Sequence, residues 1–590
     1  MVMLMLLALV GVAALGYVVD QKYLLSNDVC KSWRVAFTLA QAKTFTRDNT
    51  LVADLFEQGV RKWPHRACMK FEDRTLTFAQ VDEMANRVAH WALQRGLRAG
   101  QTVGLLMENR PDVTLAGTDD VIIGAELLDK VAEVHSHLPG VSFHTYNDAT
   151  LAPPNLSLDA QLKLMGTAQP PVSHRSGVNI MDTALLIFTS GTTGLPKAAR
   201  VSHFNVVCRS LMFVNNMQMT EAGKIYTALP LYHTSGGNMA VGMMLNTGAT
   251  LCISRRFSTT KFWDEVCKFE CTTVQYIGKM CRYLMNAPPK DNDKDNRVRI
   301  VFGNGLRPDV WAPFQERFGI PAVFEFYGST EGVSGMVNMC TTPEDQGHLG
   351  RQGLLISLLL GNRIVKYDVD NDEYIRDSKT GFLRLCDTNE VGELICPINQ
   401  NDPAKRFHGY YKNEGESNKK VLRDVFKKGD LYFRTGDLFK VDERSRWHFV
   451  DRIGDTFRWK SENVATNEVS EAISNFPGFS EICVYGVEVP GNEGRACLAA
   501  VVFDESAFDL SAFAQHVKKR LPSYAMPLFI RQLDEVTVTG TMKHMKAKLR
   551  KEGMDPLQVH NKLWFFNKAA DAYERLTSEN YHSVIANSRL

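Results

Sequence analysis

The residues with the clearest chemical purpose lie between Leu186 and His203, where the chain reads Leu-Ile-Phe-Thr-Ser-Gly-Thr-Thr-Gly-Leu-Pro-Lys-Ala-Ala-Arg-Val-Ser-His. Hydroxyls at Thr189, Ser190, Thr192 and Thr193, with glycines at Gly191 and Gly194, allow a tight fold that turns backbone N–H groups outward. Amides, hydroxyls and a nearby ammonium, here Lys197, are the groups that bind anionic phosphate oxygens. The apolar run 184–188 reads as a buried strand, and a helical pattern follows Pro196 through Val206, Val207 and Leu211. The expectation is a strand, a loop and a helix. The spacing Gly191-x-x-Gly194-x-x-Lys197 is not that of a P-loop NTPase. A glycine-rich loop by itself also suits a flexible surface turn. Six small or hydroxylated residues closed by Pro196 and Lys197 favour phosphate.

Four further groups carry chemistry, each weak alone. Pro230-Leu-Tyr-His233-Thr-Ser-Gly-Gly237 sets a histidine after a strand and beside two glycines, where a histidine more often serves packing. Phe324-Glu-Phe-Tyr327-Gly328-Ser329-Thr330-Glu331-Gly332 ends a strand in a turn holding a ring, a hydroxyl and a carboxylate. There Tyr327 can stack on a base, Thr330 can bond a phosphate, and Glu331 can hold Mg²⁺ through hard oxygens. A plain strand-end turn is the competing explanation. Phe433-Arg-Thr-Gly436-Asp437-Leu438 offers a carboxylate suited to a ribose diol, or an Asx turn. Asp451-Arg452-Ile-Gly454-Asp455 puts a glycine where two blocks meet, as a hinge requires.

Elements must position these groups, and 590 residues exceed one core, so two or more domains are expected. Helices are predicted over 52–62 and 77–94. Buried strands are predicted at 67–71, 102–107, 226–229, 250–253, 273–277 and 298–301, with a strand and helix over 121–134 and a loop over 152–176. This alternation gives an α/β fold of mostly parallel sheets covered by helices. After Tyr432 hairpin strands at 438–441 and 447–450 lead to a smaller C-terminal block that begins between Asp451 and Asp455. A net charge of +2 gives no electrostatic case for nucleic acid. Twelve cysteines without a C-x-x-C pair point to a reducing compartment without structural zinc.

The N-terminus departs from this ordinary composition. Residues 1–19 carry no charge, and that length just reaches the roughly 20 residues that span a bilayer. A secretory signal places its basic residues first, whereas here Asp20, Lys22, Lys31 and Arg34 follow the apolar run. The expectation is a single-pass anchor with the body of the protein on the cytosolic side. Small residues near Gly16 leave a cleaved signal as the alternative.

The order and spacing of the motifs resemble the adenylate-forming (acyl-CoA synthetase, AMP-binding) superfamily over nearly the whole chain. Val274-Gln-Tyr-Ile-Gly278 with Cys281-Arg-Tyr-Leu284, Gly303-Asn-Gly-Leu-Arg307, and Phe449-Val-Asp-Arg-Ile-Gly-Asp-Thr-Phe-Arg-Trp-Lys460 with Glu462-Asn-Val-Ala-Thr-Asn-Glu468 resemble the fatty acid transport protein/very-long-chain acyl-CoA synthetase family. The resemblance implies an α/β fold: an anchor over 1–20, an adenylation domain of mixed and parallel sheets over 21–452, and a mobile α+β domain over 453–590. It implies ATP-dependent ligation of a long-chain or very-long-chain fatty acid to CoA through an acyl-adenylate, with ATP, Mg²⁺ and CoA as cofactors or co-substrates. Fatty-acid uptake would follow by metabolic trapping; a transporter, or an impaired variant acting in lipid binding, is the alternative. Catalytic parts fall by resemblance to Lys543, Glu331 and Thr192, with Glu331 as the metal ligand and Lys546 as the alternative to Lys543. Nucleotide contacts fall to Thr189, Ser190, Gly191, Thr193, Gly194, Lys197, His233, Tyr327, Gly328, Thr330, Asp437 and Arg452. The implied partners are fatty acid, ATP, CoA and a membrane, with a homo-oligomer left open. The implied sites are the endoplasmic reticulum or plasma membrane, or the peroxisome if Ser588-Arg589-Leu590 acts as an address.

Two departures from the family pattern stand out. Ser461 occupies a position where the family usually has glycine. After Asn109-Arg-Pro-Asp112 the chain reaches Val121-Ile-Ile-Gly-Ala-Glu-Leu-Leu128 across only residues 113–120, where relatives insert a helix, a strand and a helix. A segment of roughly 30 residues, on the order of a βα unit or more, is absent there.

Overall fold

The computed structural model describes residues 25–109, 120–128, 141–146, 157–189, 196–369, 371–460, 462–474, 476–490, 492, 494–505, 508–536 and 545–586. The proposed anchor over 1–19, the junction 113–119, Ser190–Leu195, Ser461, Lys543 and the last three residues lie outside them. No helix among the described residues is long and apolar enough to cross a membrane.

The largest sheet has eight strands in the order Met336–Cys340, Val323–Tyr327, Ile300–Asn304, Thr273–Ile277, Lys224–Thr227, Thr250–Ile253, Ala67–Phe71 and Arg74–Thr77. Its central strands run parallel and each edge ends in an antiparallel strand. Neighbours along a strand enter opposite cores: Ile225, Leu251, Phe302 and Phe324 pack on one face, Tyr226, Cys252, Val301 and Val323 on the other. A strand covered on both faces is apolar at every position, which is why these runs do not alternate. Helices predicted at 52–62 and 77–94 form as Val52–Lys62 and Phe78–Gln94. Thr77 caps the second by accepting the Gln80 N–H at 3.2 Å while the Gln80 side chain accepts the Thr77 N–H.

A second, smaller sheet joins Gly104–Leu106, Asp120–Gly124 and Ser142–Tyr146, all parallel. Among the described residues Gly104–Leu106 pairs on one side only, and Leu106 is 42% exposed. The strand expected over 102–107 is thus shorter and more open than its apolar sequence implies. The expected loop over 152–176 contains a helical turn and a half, Leu158–Lys163, capped by Ser157.

Downstream, Leu431–Val441 forms the spine of a five-stranded sheet, flanked by Gly392–Pro397, Val421–Arg423 and Trp447–Arg452. Beyond it, Phe479–Glu488, Arg495–Phe503, Phe529–Gln532, Leu563–Asn567 and Ala572–Leu576 form a mixed sheet whose core draws only on residues from Phe457 to Val584. The chain is therefore an α/β body with mixed sheets followed by a C-terminal α+β domain with its own core.

Candidate active site

The hydroxyl-rich stretch is flanked by two paired strands, not by a strand and a helix. Thr183–Thr189 pairs antiparallel with Lys197–Ser202, and the helix begins only at His203, where Ser202 accepts the Asn205 N–H at 3.2 Å. Ala199 and Val201 are fully buried, so the residues after Pro196 alternate as a strand does. The strand–loop–helix expectation does not hold, because Lys197–Ser202 is a strand and the helix begins beyond it. The first strand is also less buried than expected, since Ile187 packs in the core while Phe188 is 68% exposed. Among the described residues it pairs with its hairpin mate alone.

The hairpin fixes Thr189 opposite Lys197, with the threonine hydroxyl donating to the lysine carbonyl at 3.2 Å. The Lys197 ammonium is bonded to Glu416, which also receives Lys419. Those bonds, Lys197 first, hold the Glu416 carboxyl down at about 2. Glu416 is set in place because Asn413 caps its short helix by accepting the Glu416 N–H at 3.2 Å.

Across the cavity the strand Val323–Tyr327 delivers the ring, hydroxyl and carboxylate turn. The Tyr327 hydroxyl donates to Asp437 Oδ2 at 2.6 Å, and its ring meets Phe439 edge-on at 4.9 Å. Burial, reinforced by Asp437, pushes the Tyr327 phenol far up. Thr330 is buried and shares a 2.7 Å hydroxyl contact with Thr234. Glu331 Oε1 accepts the Tyr410 hydroxyl at 2.8 Å. Asp437 and Arg452 face each other across paired strands, with Arg452 Nε 3.8 Å from Asp437 Oδ1.

His233 caps a wide turn over Thr234–Ala240, whose Gly237 N–H donates to the His233 carbonyl at 2.8 Å. A Cβ at Gly237 would meet the Leu231 carbonyl oxygen at 2.0 Å, so this turn excludes any side chain there. Thr189 and Lys197, His233, the Tyr327–Glu331 turn, and the Asp437/Arg452 pair all face one cavity of about 1770 Å³. Ser190, Gly191, Thr192, Thr193, Gly194 and Lys543 fall outside the described residues. Lys546, the alternative lysine, donates to Thr466 Oγ1 at 2.8 Å and lies 3.2 Å from Asp455. It is tied within the C-terminal domain rather than lining the cavity.

Three residues of the site escape sequence reasoning. Arg209 donates to the carbonyls of Thr330 at 2.9 Å and Gly332 at 2.7 Å, so it clamps the turn that bears Glu331. Burial lowers its guanidinium to about 10, with Glu331 opposing. A cation in the midst of Val206, Val207, Cys208 and Leu211, all buried, was the available signal. Tyr410 and Glu416 had no signal beyond a glycine–aromatic pair and an Asn-x-x-Glu cap.

The donor set fits a nucleotide and its metal. Among the described residues no three His, Cys, Asp or Glu side chains cluster as a metal cage. Mg²⁺ needs only one or two carboxylates when phosphates supply other ligands, and Glu331 provides one. A Cβ at Gly328 would meet nothing within 4 Å, leaving backbone open to the cavity. Trp311 Nε1 and Gln352 Oε1, on cavity-lining residues, have no partner among the described residues. A bound polar molecule can satisfy both.

A fold of this kind, with Thr189 and Lys197, the acidic turn and the Asp437/Arg452 pair around one cavity, suits an enzyme that handles an adenylate. A profile described as "AMP-binding enzyme" matches residues 56–117 and 121–394, and one described as "AMP-binding enzyme C-terminal domain" matches 468–543. Long-chain fatty acid transport protein 2 of Rattus norvegicus is 37% identical over 572 residues, covering 90% of each chain. The very long-chain fatty acid transport protein of Cochliobolus heterostrophus is 31% identical, over 95% of this chain and 93% of its own. An anthranilate CoA ligase in complex with anthranoyl-AMP has the same fold, at a TM-score of 0.71 and 18% identity over 85% of this chain and 97% of its own. The chain belongs to the AMP-binding enzyme family and, within it, to the long-chain and very-long-chain fatty acid transport proteins.

Proposed function

We propose that the protein is an AMP-forming ligase that joins a long- or very-long-chain fatty acid to CoA. The observation that carries this is the convergence of Lys197, Thr330, Glu331 and Asp437 on one cavity far larger than the roughly 300–1,000 Å³ of ordinary pockets. The fatty carboxylate attacks the α-phosphate of ATP, the P–O bond to pyrophosphate breaks, and the CoA thiol then displaces AMP from the acyl-adenylate. Neither step needs a side-chain nucleophile, so positioning and charge carry the rate. Glu331, held by Tyr410, would hold Mg²⁺, which supplies charge neutralisation at the phosphates. Lys197 leaves Glu416 for the phosphate oxygens, and Tyr327 and Asp437 orient the nucleoside, with Asp437 and Arg452 at the ribose. Arg209 keeps the acidic turn in register.

Lys543 is taken as the adenylation lysine, as the family resemblance implies, with Lys546, bonded to Thr466 and Asp455, as the alternative. Gly454 is the pivot on which residues 453–590 turn between the two steps; Arg550 bonds its carbonyl at 2.8 Å and Asp455 at 2.9 Å, so the pivot has contacts to exchange. The charge-free stretch 1–19 anchors the protein, with its catalytic bulk cytosolic, at the endoplasmic reticulum or plasma membrane. One span cannot form an alternating-access path, so uptake proceeds by trapping. The test is Glu331→Ala assayed for palmitate-dependent AMP release. A fall of roughly 10²–10³-fold with an unchanged melting temperature is expected. Normal turnover would remove Glu331 from the metal site, and fatty-acid uptake that survives Lys543→Ala would favour a transporter.

A further inference from the structure

One wall of the large cavity carries large apolar side chains on its outer side as well as its inner side. The helix Leu25–Arg47 turns Arg34, Val35, Thr38 and Leu39 to the cavity. At about 100° per residue, Trp33 and Phe37 lie on the opposite side. They are 62% and 48% exposed. The short helix Leu354–Leu360 packs against it and repeats the arrangement. Its Ile356 and Leu360 line the cavity, while Leu354, Leu355 and Leu358 are 45%, 43% and 63% exposed. Large apolar side chains gathered on one outer face mark a contact surface.

The surroundings say which contact. The charge-free residues 1–19 precede this same helix in the chain by only a few residues. Tryptophan is the residue that settles at a lipid–water boundary. Cations stand at the C-terminal end of the leucine helix: Arg363 donates to the Ser357 carbonyl at 3.3 Å and Lys405 to the Leu359 carbonyl at 3.0 Å. Leucines flanked by Arg and Lys suit shallow insertion beside anionic headgroups, with the apolar side about 5–10 Å deep. We propose that the outer face of Leu25–Arg47 and Leu354–Leu360 docks on a lipid bilayer, seating the cavity wall against the membrane. Combined with the ligase reading proposed above, this surface brings an acyl chain to the cavity directly from lipid.

The test uses the full chain with vesicles of phosphatidylcholine and phosphatidylserine, with or without acyl-brominated lipid, a short-range quencher of tryptophan. Subtracting the quenching of Trp33→Phe from that of the wild type isolates Trp33. Quenching at Trp33 is expected, and Leu355→Asp/Leu358→Asp, which alters residues that do not line the cavity, should reduce it by about half or more. The milder Leu358→Ser should reduce it less, and matched melting temperatures exclude misfolding. Trp33 left unquenched in the wild type overturns the proposal and is the result if residues 1–19 or a second copy cover this face. Equal quenching in the wild type and the double variant also overturns it, because the anchor alone then holds Trp33 near lipid. A second readout separates docking from ligation. The KM for vesicle-borne palmitate should rise about tenfold in the double variant while AMP release from dissolved octanoate is unchanged. Loss of discrimination between the two acids overturns docking as the supply route. AMP release from neither acid, even in the wild type, overturns the ligase reading and leaves the quenching result to decide docking.

Discussion

The large domain contains two parallel sheets built from similar apolar runs, and they end in different states. In the eight-stranded sheet both faces are packed, both edges turn antiparallel, and Val301, Phe302, Val323 and Phe324 are wholly buried. In the three-stranded sheet Gly104–Leu106 has one neighbour among the described residues, and Leu106 stands 42% exposed. Its core is small, centred on Trp91, Met107, Ile122 and Leu158. A cavity of about 260 Å³ lies against that core, lined by Leu105, Met107, Ile122 and Tyr146 among others. The difference teaches that an apolar run is buried by its neighbours, not by its own composition. In sequence the open edge precedes the point where the family match is interrupted, between 117 and 121.

The contrast predicts unequal penalties for equal lesions. Phe324→Ala opens a void in a closed core and should cost about 3–5 kcal/mol. Ile122→Ala removes a side chain already beside a cavity and should cost about 2 kcal/mol, the low end for its class. Urea midpoints of the two variants measure this, and equal losses would break the distinction between the sheets.

Inserting a family-like helix–strand–helix segment after Asp112 should narrow the gap. A new partner for Gly104–Leu106 would cover the exposed Leu106 and replace water at the edge groups, each bond contributing a net of about 0.5–1.5 kcal/mol. At roughly 1 °C per kcal/mol for a domain of more than 400 residues, the melting temperature should rise by a few degrees. An unchanged melting temperature would mean that the edge is already satisfied without the segment.

The closed sheet was the more legible of the two. Runs such as Val323-Phe-Glu-Phe-Tyr327 read directly as strands because four of the five positions are buried and the fifth is half-buried. The motif around Tyr327, Thr330 and Glu331 was legible too, since its residue types already carry the chemistry. What stayed hidden depended on long-range contact. Nothing near Lys197 in sequence announces Glu416, and nothing near Glu331 announces Tyr410. The hairpin at 183–202 looks like strand–loop–helix in sequence because Ala198 and Ala199 suit either state, and pairing with the preceding strand decides. The run 102–107 was read as buried because the sequence cannot show that a neighbour is missing.

The smallest expected effect is also the most specific, because each sheet holds one buried acid and the two titrate in opposite directions. Glu325, in the closed sheet, accepts the Leu306 N–H at 3.1 Å and is bonded to the Tyr276 hydroxyl. Burial, which those bonds do not offset, pushes it up to about 8. The folded protein then keeps a proton that the unfolded chain releases near pH 4.3, so stability falls as pH rises from there to about 8. Asp120, in the open sheet, is pushed up by burial too, but His144 at 3.0 Å and Arg95 at 2.8 Å outweigh it and hold the carboxyl below its usual range. Its contribution is present above about pH 3.9 and is lost as pH falls through its lowered value. Glu325→Gln, which keeps both bonding partners, should therefore gain on the wild type by about 1–3 kcal/mol between pH 5 and 8. Asp120→Asn should lose about 1–2 kcal/mol at pH 7 and progressively less as pH falls through the lowered value. Denaturation midpoints from pH 2 to 9 read both, and parallel pH slopes for the two variants would show that the sheets impose the same electrostatic environment after all.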